Sequence, residues 1–360
     1  MKRLTFDLEF ITPAFIGGAN QQAELRPASF VGLLRWWWRA LKGECNIEKL
    51  REEEVKIFGG IAKNQRKEEI KMASPVYLRV EGDVSKDKDL IKKYGLDLIF
   101  DEKKRAFFGS HIGVGYLYYF ILPKKKRTGQ EEKGREFIEV GSKLKLTLIG
   151  KDELLKHYIA SLWALVFLGG VGARSRRGGG NLAVVDYEPK DLVEYLKISF
   201  TPTGDLYKWL VENLKKAKEL VGSPKTPCDK YSNLSNVKLV LSKTKFNTWF
   251  EALDDIGKEF MRFRSENKQS VFDTAVFGIP VRHSNGKFVE AERGIRRRSS
   301  PVIIKVVKTP GDKYQWVVLG LEGKFLPDGV KLRFMEKVGQ PDIRLIGEFF
   351  RSLKEELKNE

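Results

Sequence analysis

Between Gly169 and Asn181 the chain reads GGVGARSRRGGGN, six glycines around three arginines. Glycine admits positive φ and close backbone approach. Backbone N–H groups beside the guanidiniums of Arg174, Arg176 and Arg177 would cradle a phosphate, gripping a nucleic-acid backbone with no base-reading code. The segment is not a Walker loop, because no Gly-Lys-Ser/Thr follows and it comes after a helix rather than a strand. The same order excludes a Rossmann fingerprint. The plainer alternative is a flexible, tight connection with solvated arginines, although so dense a mixture of glycine and arginine is costly for a mere turn.

Two further segments carry the same chemistry. In Ile11 to Lys42, a glycine-bearing loop leads into a helix with three successive tryptophans. Laid out at about 100° per residue, Phe30, Leu33, Leu34, Trp37, Ala40 and Leu41 share one side. Arg35 and Arg39 share the other with Gly32, and Trp36 and Trp38 lie on opposite borders. Such a helix can approach a phosphate or another chain, or it can simply carry solvated charge outside. Arg293 to Ser300 (RGIRRRSS) is the third segment. Arg296, Arg297 and Arg298 in a row cannot all point one way; they either stay solvated or grip RNA or an acidic neighbour. Lys124 to Arg127, at a hairpin tip, reads as solubilising or as weak electrostatic steering.

Catalytic groups are sparse. His111, His157 and His283 are scattered, and no spacing places a partner within reach of a general base. Asp254 and Asp255 are adjacent, about 100° apart on a helix, and make a poor metal pair. Asp273 reads as a cap or turn residue. No Cys/His zinc spacing exists. No catalytic residue, metal or cofactor is expected.

The 360 residues suffice for two domains or one large one. A net charge of +18 and a pI near 9.6 point to an anionic partner, nucleic acid before a membrane. No apolar run reaches transmembrane length, and the N-terminus starts a strand rather than a signal peptide. Cys45 and Cys228 are far apart in sequence, so a reducing, cytoplasmic setting is the simplest expectation. The 32% of charged residues lean towards a thermophile.

Positioning these residues requires the following elements. Alternation of Leu4, Phe6, Leu8 and Phe10 with polar neighbours predicts a strand near 3–11, ended by Pro13. Pro27 and Ser29 open a helix over 28–42. The charged stretch 44–71 holds at most a short helix near 47–58, and 86–110 reads as a charged insertion or mobile loop. Strands are predicted at 75–80, 113–122, 144–149 and 182–187, and a helix at 152–168. The order β-α-β-β-α-β fits a ferredoxin-like α+β sandwich over residues 1–190. Residues 191–360 predict strands at 196–200, 237–241, 302–307 and 315–319, with helices at 206–220, 247–265 and 343–358. A second, distorted α+β domain follows, with one continuous domain as the alternative.

Three blocks resemble the RAMP superfamily of CRISPR-associated proteins, and within it the first-numbered Cmr subunit of type III-B effectors. They are ITPAFIGG…AELRPASFVGLLRWWWRAL, FLGGVGARSRRGGG, and VFGIPV…RRRSSPVIIKV. The resemblance spans nearly the whole chain except the charged insertions 44–71 and 86–110. It implies two ferredoxin-like (RRM-like) domains and membership of a ribonucleoprotein with a CRISPR guide RNA that recognises target RNA in antiviral defence. It implies a place near the guide 3′ end beside another RAMP subunit. Catalysis is implied for other subunits, and neither of their active sites matches here. The RNA-binding candidates are Arg35, Arg39, Arg174, Arg176 and Arg177, with Gly170, Gly172, Gly178, Gly179 and Gly180 permitting approach, and Arg296, Arg297 and Arg298 joining them. The competing expectation is a metal-independent ribonuclease using His111 or His157. A third holds that the arginines meet acidic subunits.

Overall fold

Leu4, Phe6, Leu8 and Phe10 have no exposed surface, and that single apolar face starts the first layer. The computed structural model describes residues 1–18, 22–63, 69–125, 131–282 and 286–359. Strand β1 (Lys2–Phe10) pairs antiparallel with β3 (Lys143–Gly150) on one side and β4 (Leu182–Glu188) on the other; β2 (Tyr77–Glu81) pairs antiparallel with β3. The sheet order is β4-β1-β3-β2. Helix α1 (Pro27–Lys42) and the nearly all-apolar α4 (Asp152–Leu168) bury their seats in the same core as that sheet face. Helix α2 (Ile47–Phe58) is capped by the Asn46 side chain, which accepts from Lys49 N–H. A hairpin, Gly60–Lys63 with Glu69–Met72, follows it.

In the second half β5 (Asn233–Leu241) and β6 (Val302–Thr309) flank β7 (Lys313–Glu322), all antiparallel, in the order β5-β7-β6. Helices α5 (Leu206–Val221), α6 (Trp249–Glu266) and α7 (Arg344–Asn359) complete it. This three-stranded sheet is buried on both faces. Ile303, Val307, Val317 and Leu319 enter the first core, while Ile304, Val306, Trp316 and Val318 enter a second core with α6 and α7. Near-continuous apolar strands are what such double burial requires. Each core therefore draws on both halves of the chain, and the architecture is mixed α+β built on antiparallel sheets.

Several sequence expectations need correction. Residues 113–122 do not form a strand: Ile112–Leu117 is a short helix, α3. A short apolar run cannot be told from a buried helix by periodicity, and two glycines decide it. A Cβ on Gly113 would collide with the backbone of Asp254, and one on Gly257 would collide with the backbone of Gly113, so α3 and α6 touch backbone to backbone. Asp254 Oδ1 accepts from Gly113 N–H at 2.7 Å and caps the short helix from α6. Residues 196–200 are not a strand; a helix, Lys190–Tyr195, precedes an irregular turn. The insertion 86–110 is ordered, because Leu90, Leu96, Leu98 and Phe107 sit in the second core. Lys124 is not a solubilising charge: it is buried, with its ammonium over the Tyr119 ring at 4.5 Å. Lys126 and Arg127 lie outside the described residues. No described helix is long and apolar enough to cross a membrane.

The two cysteines are joined. Cys45 and Cys228 have Cα atoms 5.2 Å apart and form a disulfide across 183 residues of sequence. Sequence distance hid this proximity, which arises because α1 docks against β5. Closing so long a loop restricts the unfolded chain, so replacing both cysteines by serine should lower the unfolding free energy by about 2–5 kcal/mol. Denaturant unfolding of oxidised wild type against the double variant measures this, and coincident midpoints would contradict it.

Candidate nucleic-acid interface

The glycine–arginine loop is not an open cradle. It leaves α4 at Gly169 and folds back on itself: Val171 N–H donates to Gly180 O at 2.8 Å, and Gly179 N–H to Arg174 O at 3.0 Å. It also docks on the segment after β1, where Gly180 N–H donates to Pro13 O at 2.8 Å and Ala173 N–H to Phe15 O at 3.0 Å. Amides the sequence suggested for phosphate are thus spent on protein carbonyls. Gly178 and Gly180 adopt φ of 82° and 61°. A Cβ on Gly178 would strike Leu253 of α6, and one on Gly180 would strike Val171. Gly170, Gly172 and Gly179 are needed for the same close approach, since their Cβ atoms would meet backbone of Gly179, Phe15 and Ala173.

The three loop arginines part company. Arg177 donates to the carbonyls of Arg176 (2.8 Å), Val302 (2.9 Å) and Phe277 (2.8 Å), with its guanidinium 4.7 Å from the Phe260 ring centroid. Burial, with Arg264 and Arg174 nearby, pushes it down to about 9; it stays charged at neutral pH and ties the two halves together. Arg174 lies over Phe120 at 5.0 Å. Arg176 donates to Ser300 O and sits 5.1 Å from the Trp36 ring centroid. Burial, then the neighbouring Arg298, push Arg176 down to about 10.

On α1 both guanidiniums are engaged by α2 and the turn that ends it. Arg39 binds both carboxylate oxygens of Glu54 at 2.9 Å. Arg35 Nε is 3.8 Å from Glu54, and its terminal nitrogen donates to the carbonyls of Phe58 and Gly59. Arg35 is a strut between the helices. Trp37 and Trp38 are buried at 3% and 0% exposure, whereas Trp36 is half-buried against the edge of Trp37.

Arg39, Arg176, Arg297 and Arg298 nevertheless converge on one cavity of about 430 Å³, with Trp36 in its wall. It lies where all three sequence blocks meet. Ile47, Leu50, Tyr231, Ser232 and Ser299 complete the lining, and none of the lining residues is acidic. Arg298 is half-fixed, donating to Phe325 O at 2.7 Å and Lys324 O at 3.0 Å. Arg297 is exposed. Arg296 points the other way, into a second cavity. Tyr231 was not anticipated, because nothing in a loop rich in Pro, Ser and Asn marks it. Its hydroxyl donates to Glu44 O at 3.1 Å, and burial raises it to about 12. Guanidiniums beside an aromatic wall suit the phosphates and bases of a single strand.

The histidines lie elsewhere. Trp38 Nε1–H donates to His157 Nδ1 at 3.2 Å, and burial pushes this imidazole down to about 4. His111 Nδ1 accepts from Asp97 N–H at 3.0 Å. His283 lies outside the described residues. Among the described residues no group of three or more His, Cys, Asp or Glu could hold a metal.

Residues 7–183 match the RAMP superfamily. The chain is 35% identical over 193 residues to the Pyrococcus furiosus Cmr subunit Cmr1-2, covering 96% of that protein and 51% of this one. The chain belongs to the RAMP superfamily, as a relative of Cmr1. It is also 26% identical over 341 residues to the P. furiosus subunit Cmr1-1, spanning 90% of this chain and 88% of that one. The crystal structure of apo Cmr1 from P. furiosus superposes with a TM-score of 0.61 at 23% identity, over 91% of this chain and 90% of that one. A chain of the type III-B Cmr-beta complex bound to cognate target RNA superposes with a TM-score of 0.52 at 13% identity, over 98% and 99%. These superpositions speak to fold alone.

The loop that anchors this RAMP chain also accounts for a buried cation. Lys305 of β6 is fully buried, and its ammonium donates to Gly169 O at 2.9 Å. Burial pushes it from 10.5 down to about 7. Its folded value lies below its unfolded one, so the unfolded chain binds more protons between those limits. Stability should therefore rise with pH from about 7 to about 10.5, by up to about 5 kcal/mol from this group. Lys305→Met should remove that slope. Unfolding free energies of the two proteins across this range test it, and parallel curves would contradict it.

Proposed function

We propose that this RAMP chain is a non-catalytic RNA-binding and assembly subunit of a type III-B Cmr ribonucleoprotein, working in the cytoplasm. The reading rests on one observation above the others: a cavity of about 430 Å³ where Arg39, Arg176, Arg297 and Arg298 meet around Trp36. A backbone-contacting site of this kind binds with strong salt dependence and little base preference. Its partners are guide or target RNA and neighbouring Cmr subunits, in particular another RAMP subunit near the guide 3′ end. The Cmr-beta structure bound to cognate target RNA, in which a chain of this fold occurs, supports RNA as a ligand. The two sheets support the reading of two ferredoxin-like units. Order β4-β1-β3-β2 is fourth-first-third-second, and β5-β7-β6 repeats first-third-second with no fourth strand among the described residues.

Ribonuclease chemistry is the weaker reading, because His157 is occupied as a neutral acceptor and neither it nor His111 lines the cavity. Incubation with guide-precursor RNA in chelator tests it directly. A defined product lost in His111→Ala and His157→Ala would overturn the non-catalytic proposal.

Arg297 is the cleanest probe of binding, since it is exposed and makes none of the carbonyl contacts, among the described residues, that make Arg176 and Arg177 structural. Arg297→Ala should weaken RNA binding about 3- to 10-fold and lower the slope of log affinity against log salt by about 0.7. Filter binding at several salt concentrations reads both, with the unfolding midpoint unchanged. Salt-independent binding by the wild type would remove the cavity from consideration.

A further inference from the structure

The ridge Arg293–Arg298 separates two cavities, not one. Arg297 and Arg298 line the first; Arg293 and Arg296 line a second, of about 450 Å³. Its floor is formed by the two middle strands of a small four-stranded sheet, Val281–Arg282, Phe288–Ala291, Leu332–Phe334 and Lys337–Gly339. Along the second of these strands Val289 is fully buried, while Phe288 is 45% exposed and Glu290 is exposed. Alternation thus sends Val289 into the second core and leaves Phe288 and Glu290 on the solvent face. Arg333 lies directly across the ladder from Glu290 and pairs with Glu292 at 3.5 Å.

This mixture has a chemical logic. A half-exposed aromatic ring on a sheet face is a platform for an unstacked base. Arginines at the rim suit phosphates. A carboxylate would repel a phosphate, but it accepts well from the exocyclic amine of a base. Arg296 and Arg297 are consecutive, so their Cα atoms lie about 3.8 Å apart, within the reach of neighbouring nucleotides.

We propose that the second cavity is a base-reading pocket for single-stranded RNA that runs on from the first. A base with an exocyclic amine stacks on Phe288 and donates to Glu290, while Arg293 and Arg296 hold the flanking phosphates. Uracil is disfavoured, because its two carbonyls flank its single N–H and oppose the carboxylate. This pocket rests on the RNA-binding reading above and adds base preference to it.

Fluorescence anisotropy with labelled oligocytidine and oligouridine of equal length, at equal salt, tests the pocket. The wild type should bind oligocytidine about fivefold tighter or more. Glu290→Gln should bring the ratio to about one, since an amide serves uracil as well as cytosine. Phe288→Ala should weaken both by about fivefold or more. Arg297→Ala should weaken both and leave the ratio intact. Equal wild-type affinity for the two oligomers, with salt-dependent binding retained, overturns the pocket and spares the first cavity. A cytosine preference that survives Glu290→Gln overturns the assignment of Glu290. Absence of binding to either oligomer overturns the pocket and the RNA-binding reading together.

Discussion

A guanidinium taken from water must find acceptors, because an unpaired buried charge is among the costliest features a fold can contain. Arg177 meets that demand at the carbonyls of Arg176, Val302 and Phe277, on both sides of the seam between the two sheets. The backbone follows the same line: Ile304 N–H donates to Arg176 O at 3.2 Å, and Val306 N–H to Asn181 Oδ1 at 2.8 Å. Since the loop joins α4 to β4, fastening it to β6 fastens one sheet to the other. The arginine-lined cavity is a consequence of this docking. Its walls come from α1 and α2, from the loop, and from the segments preceding β5 and β6, and none of them forms a site alone.

Elements that bury a single periodic face were legible in the sequence. Helices α1, α2, α4, α5 and α6 fall close to their expected limits, as do β1 and β3, because period 3.6 or 2 is visible in the residues themselves. Residues 113–122 were illegible for a physical reason. Gly113 and Gly115 remove the helical signal, and their purpose, room for the backbone of α6 and for the side chains of Phe107 and Leu98, is visible only once those elements are beside them. Long-range pairings were hidden in the same way. Nothing near Arg35 and Arg39 in sequence announces that Glu54 will neutralise part of their charge, nor that Cys45 will meet Cys228.

The glycine–arginine loop shows the limit of composition as a guide to chemistry. Glycine density signals close approach, but not to what. Here the approaching backbone is the protein's own, at Phe15, Val171 and Gly179. Arginine density signals unpaired donors, and carbonyls of the same chain receive those of Arg177 and part of those of Arg176 and Arg298. The composition of the segment points to close contact without naming the partner. What it grips is the other half of the molecule.

The charge excess can then be apportioned. A net +18 is not expressed evenly, since arginines locked into the interior present little of their field to solvent. Arg35 and Arg39 share Glu54, and Arg177 is enclosed, whereas Arg293, Arg296 and Arg297 are exposed on the ridge between the two cavities. Field lines from exposed charges beside concave, low-dielectric walls are focused outward and draw anions towards them. On the proposed RNA-binding reading, a strand would therefore meet the ridge first, and only then the half-fixed guanidiniums of Arg39, Arg176 and Arg298 in the cavity behind it. On that reading, attraction and positioning are divided between two sets of arginines: exposed charge at the rim, and charge held by carbonyls and Glu54 within.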